Sequence, residues 1–142
     1  MYKTLLLATL ALAGTVHANP TAEARVKDFK AILRSFEPMG VVVRDRAPYR
    51  KDEFARLAAS LKAAAPAPFA RFAAGSQANS RAKAEIWSQP ARFDAEKKQF
   101  IVAVDALNKA AQAGDLAAIR ASYGQVGQSC KSCHDVFRGP PL

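Results

Sequence analysis

Cysteine is scarce in this chain, with two residues in 142, Cys130 and Cys133. That excludes a scaffold held by several disulfides. Seven glycines and eight prolines are too few for a collagen-like or low-complexity chain. No apolar run reaches the roughly 20 residues a bilayer-spanning helix needs. No segment sustains the period-two alternation of β-branched residues that marks a strand, so no sheet is expected. Acidic residues are also in deficit, 12 against 21 Lys and Arg, for a net charge of +9. The length suits one domain with a single core.

The first eighteen residues read as a secretory leader. Met1-Tyr2-Lys3 is a short positive start, Leu5 to Ala13 an apolar stretch, and Val16-His17-Ala18 a small-x-small cleavage site. A retained membrane anchor is the alternative. Cleavage after Ala18 removes Lys3 and His17, so residues 19–142 carry +8, one histidine (His134) and one methionine (Met39). The imidazole and both thiols then lie within five residues of one another. An exported, periplasmic protein without membrane insertion is expected, and nucleic acid is an unsuitable partner for it.

What remains repeats at helical period. From Ala22 to about Arg44, the residues Val26, Phe29, Leu33, Phe36, Gly40 and Val43 form an apolar seam at spacings of three and four. Asn19-Pro20 supplies an N-cap with proline at the first helical position, and Pro38 should bend the helix. A second helix is expected from about Asp52 to Ala65, with Phe54, Leu57 and Leu61 inward. Residues 66–90 form the one long connection, with a short helical turn at Ala84–Trp87. A third helix should span about Ala91 to Ala113, with Phe93, Phe100, Val104 and Leu107 inside. After Gly114, Asp115 caps a fourth helix to about Arg138, with the seam Leu116, Ile119, Tyr123, Val126, Cys130, Cys133 and Phe137. The expected fold is all-α, an up-down-up-down four-helix bundle over residues 19–142.

Cys130-Lys131-Ser132-Cys133-His134 is the C-x-x-C-H pattern of c-type haem attachment. Residues three apart share a helix face at about 5–6 Å, so each thiol can add to one vinyl group while His134 takes the iron. A disulfide across so small a loop gains little and leaves His134 idle. Tetrahedral zinc needs four ligands, and three are at hand. A thioredoxin-like pair wants a strand–helix–strand setting that is missing.

The motif on the last of four helices, Cys-Lys-Ser-Cys-His-Asp-Val-Phe-Arg, resembles bacterial cytochrome c′. Val42-Val43-Arg44-Asp45-Arg46-Ala47-Pro48-Tyr49 resembles the turn after that family's first helix. Glu85-Ile86-Trp87-Ser88 resembles its loop before the third, and Ala113-Gly114-Asp115-Leu116 its entry to the fourth. The likeness covers nearly all of residues 19–142.

The resemblance implies one haem c per chain, gas binding (nitric oxide or carbon monoxide) and passage of single electrons. In low-spin relatives a Met on the first helix is the second axial ligand, and counting back from Ala47-Pro48-Tyr49 puts Phe29 at that position. Met39 lies ten residues beyond it, about 15 Å along a helix. A five-coordinate iron is expected, with Phe29 over the open face, where dioxygen would find no hydrogen-bond donor; an ordinary core role is the alternative for Phe29. The low-spin c-556 type, a dedicated electron carrier with six-coordinate iron, is the competing function. The resemblance puts Arg25 near the haem propionates, with a solvated Arg as the alternative. It puts Val26 at a neighbouring haem contact and Arg138 on the proximal side, unless Arg138 serves only the helix dipole. Glu85 and Trp87 are candidates for the haem rim. The family often forms homodimers through its first two helices, and the positive charge suits acidic redox partners. With its one histidine given to iron, the chain offers no acid–base constellation, and no enzyme is expected.

Overall fold

The computed structural model describes residues 19–142; the expected leader, 1–18, lies outside them. Four long helices make the body: α1 (Pro20–Val43), α2 (Lys51–Ala64), α4 (Pro90–Ala113) and α5 (Leu116–Phe137). The connection between α2 and α4 holds a 3-10 turn, Ala67–Arg71, and a one-turn helix, α3 (Glu85–Ser88). Among the described residues the only β pairing is an isolated bridge, Ala82 to Arg138. The 3-10 turn was not expected from the sequence; the other boundaries match the periodic pattern to within two residues.

Local chemistry sets the ends. The Asn19 side chain accepts from the Ala22 amide at 3.1 Å, and its amide donates to the Ser76 and Ala78 carbonyls. One residue thus starts α1 and ties it to the long connection. Gly114 closes α4 at φ 77°, a left-handed conformation that favours glycine. Asp115 then caps α5 through the Ala118 amide at 3.0 Å. Pro38 sits within α1, which continues through it to Val43.

α4 packs along both α2 and α5, and α1 packs on α2, while α1 and α5 touch sparingly. Where the α1–α2 and α4–α5 turns meet, the core is solid: Met39, Phe54, Leu61, Val104, Leu107, Ile119 and Val126 are under 2% exposed. Each such side chain contributes about 1.5–3 kcal/mol of burial.

The α1 seam differs from expectation by one residue. Its buried line is Ala22, Arg25, Ile32, Ser35, Met39 and Gly40, and Val26 and Leu33 stand 51% and 44% exposed. The rotation was hidden because a charged residue, Arg25, occupies the inner line. Leu116, expected inward on α5, is likewise 41% exposed, whereas Ile119, Val126 and Phe137 are buried.

Candidate functional site

At the other end α1 and α5 part, and a cavity of about 1180 Å³ opens between them. That exceeds the range of about 300–1,000 Å³ common for small-molecule sites. Six of the chain's eight phenylalanines line it: Phe29, Phe69, Phe72, Phe93, Phe100 and Phe137. The rings hold one another edge-on or tilted. Phe72 and Phe93 centre at 4.9 Å, Phe93 and Phe137 at 5.3 Å, and Phe69 and Phe100 at 5.9 Å.

α5 delivers Cys130, Cys133 and His134 to this cavity, both cysteines unbridged. Burial pushes both thiols up, Cys133 to about 11, helped by the nearby Glu96 carboxylate. Burial, with the Arg138 and Arg81 charges, lowers His134 to about 4. A neutral imidazole is the form that ligates a metal. From α1, Phe29 faces it: the two rings centre 6.2 Å apart at 69°. Ser132, between the cysteines, donates to Glu96 of α4 at 2.7 Å and so fixes the turn that carries the motif.

Arg25 is 4% exposed and lines the cavity. It donates to the Arg71 carbonyl at 2.9 Å and to the Ser76 hydroxyl and carbonyl at 3.3 and 3.2 Å. Its guanidinium lies 4.4 Å over the Phe72 ring. A solvated Arg25 is therefore excluded. Three of its five N–H groups clamp the connection that supplies Phe69 and Phe72, leaving two for another acceptor.

Val26 and Arg138 also line the cavity. Glu85 and Trp87 do not: Glu85 pairs with Lys83 at 3.5 Å, and the Trp87 indole donates to the Phe72 and Ala73 carbonyls. Ile86, between them, is the α3 residue on the lining. Trp87 is half-buried behind the wall instead, its ring centre 6.4 Å from that of Phe72. Phe69 and Phe72 were missed by sequence reasoning. Their signal was two aromatics at i and i+3 inside a connection, a spacing that already implied one buried helical face.

The donor set fits a c-type haem. Two thiols three residues apart can anchor one edge of a flat apolar ring, one uncharged imidazole can hold its iron, and an aromatic cavity can take its faces. Cationic side chains at the mouth suit its carboxylate arms.

A family model described as Cytochrome C′ matches residues 21–138. Cytochrome c′ of Alcaligenes xylosoxydans xylosoxydans is 39% identical over 103 residues, 72% of this chain and 80% of its own. That of Rubrivivax gelatinosus is 32% identical over 118 residues, 82% of this chain and 92% of its own. A solved nitric oxide complex of a variant cytochrome c prime from Alcaligenes xylosoxidans superposes with TM-score 0.82 at 34% identity. It covers 85% of this chain and 94% of that one. Over the whole bundle, thiols and imidazole included, the chain belongs to the cytochrome c′ family and binds that family's single covalent haem c.

Proposed function

We propose that this protein binds small neutral gases, nitric oxide or carbon monoxide, at a five-coordinate iron, and that it also passes single electrons. The carrying observation is Phe29, a side chain with no ligand atom, on the same lining as His134 with its ring centre 6.2 Å from the imidazole. The haem iron supplies ligand binding and one-electron redox chemistry.

The chain's residues govern access to it. Cys130 and Cys133 hold the ring to α5 as thioethers. His134 offers its imidazole from one side and Phe29 closes the other, with Ile32, Phe69 and Phe100 in the same lining. These side chains exclude water and offer no hydrogen-bond donor, so a neutral diatomic is favoured over a polar ligand. Arg25 and Arg138 are the guanidiniums to pair with propionate and to screen the proximal side. The Alcaligenes relative solved with nitric oxide supports the ligand class.

The rival reading, a low-spin c-556-type carrier, requires a protein atom on the second face. Met39, the sole methionine of residues 19–142, is fully buried in the solid core and does not line the cavity, which disfavours it. The ferrous spectrum decides between them. A change on adding carbon monoxide supports the open site, and a sharp low-spin spectrum indifferent to the gas favours the carrier. Phe29→Met should move the ferric electron paramagnetic resonance signal from high toward low spin. A persistently high-spin signal with the haem environment otherwise intact would remove Phe29 from that face.

Export to the periplasm with cleavage after Ala18, a homodimer through the first two helices, and a binding rather than enzymatic role belong to the same proposal. Among the described residues no helix is long and apolar enough to cross a membrane. Amino-terminal sequencing of the mature protein tests the cleavage, and sedimentation tests the dimer.

A further inference from the structure

Among the described residues every ion-paired cation lies off the cavity lining, and none on the lining is paired. Away from the cavity many are paired: Lys62 and Lys109 with Asp105, Arg120 with Asp45, Lys97 with Asp94, Lys131 with Asp135. The cavity lining instead holds six cationic side chains against two carboxylates, Glu23 and Glu96. Half of the net excess of eight positive charges in residues 19–142 is therefore on that lining. Lys27, Lys30, Arg34, Arg81 and Arg138 form no ion pair among the described residues.

Their placement is not diffuse. Lys27, Lys30 and Arg34 follow one another at i, i+3 and i+7 along one face of α1. Arg81 is pinned at the mouth by donating to the Gly139 and Pro140 carbonyls at 2.9 and 3.0 Å. Arg138 caps the end of α5, where a cation also suits the helix dipole. Between them Val26 and Leu33 are exposed. A few apolar side chains ringed by unpaired charges, six positive against two negative, make the small, salt-sensitive surface of a transient electron-transfer encounter. The two carboxylates of a bound haem would halve the local excess without reversing it.

We infer that this rim is the docking surface for an acidic one-electron partner protein; the inference rests on the haem reading above. An anionic lipid surface is disfavoured, because the cations surround a concave opening rather than flank a continuous apolar helix face.

The test uses the mature holoprotein and a flavodoxin hydroquinone as the acidic probe. One electron leaves the anionic hydroquinone, giving the neutral semiquinone, and reduces ferric to ferrous iron with no proton exchanged. At low ionic strength, Lys27→Glu/Lys30→Glu/Arg34→Glu should lower the second-order rate constant about tenfold or more. The difference should close near 0.5 M salt, where the Debye length is only about 4 Å. Arg46→Glu/Arg56→Glu/Lys98→Glu, an equal charge change off the lining, should leave the rate within about twofold of the parent. Equal losses in both triples would assign the effect to net charge and overturn the docking surface, as would no loss in the rim triple. Phosphatidylglycerol vesicles that bind the parent but not the rim triple, with flavodoxin rates unchanged, would overturn it in favour of a membrane. Chemical-shift changes at 27–34 on adding oxidised flavodoxin read the surface without using the iron. Absence of covalent haem absorbance after denaturation would sink the haem reading instead.

Discussion

Near the two tight turns the bundle is filled by Met39, Phe54, Leu107 and Ile119, all under 2% exposed and drawn from all four long helices. Near the opposite end six phenylalanines stand around a space of about 1180 Å³. The first half buries side chains against side chains, so its stability belongs to the polypeptide alone. The second half spreads its aromatics on a cavity wall, so it depends on what fills the cavity. Arg25 bridges the two economies: a charged residue in the inner line of α1, satisfied by the connection it restrains.

The largest effect should come from emptying the hollow half. Cys130→Ser/Cys133→Ser is expected to abolish covalent haem entirely, read as lost absorbance in the denatured protein. Amide exchange should then quicken at 67–88 and 129–138 while 103–111 stays protected, because ligand binding stabilises the elements that touch it. Uniform quickening would show that the halves are not separable. Next, Leu107→Ala in the solid half should cost about 2–5 kcal/mol by chemical denaturation, whether or not haem is attached.

Smaller again, Arg25→Met keeps the stem's packing but orphans the Arg71 and Ser76 acceptors. A loss of about 1–3 kcal/mol is expected, with exchange quickened first at 71–76. The smallest effect concerns Asp105, held down to about 2 from its ordinary 3.8 chiefly by hydrogen bonds from Lys62 and Lys109. A lowered carboxyl stabilises the fold fully above about pH 4 and loses that contribution as pH falls through 2. The difference in melting temperature between parent and Asp105→Asn should shrink over that window and with added salt.

The haem motif was legible because covalent attachment needs a fixed local spacing, and spacing is what a sequence displays. Helix ends were legible for the same reason: Asn19, Gly114 and Asp115 act on residues within one turn of themselves. The inner line of α1 was not, since helical periodicity defines a stripe but not its rotation, and the buried Arg25 argues against the true answer until Ser76 is seen beside it. Leu116 shows the same ambiguity at a helix start.

Periodicity and the Cys-x-x-Cys-His run together determined the helices and the cofactor, both consequences of spacings of three or four residues. Only the tertiary structure decided that Phe69 and Phe72 wall the cavity, that Ile86 rather than Glu85 or Trp87 lines it, and that six cations without an ion-pair partner among the described residues share that lining. These depend on segments 40 or more residues apart being brought together by the burial of apolar surface, which acts without regard to order along the chain.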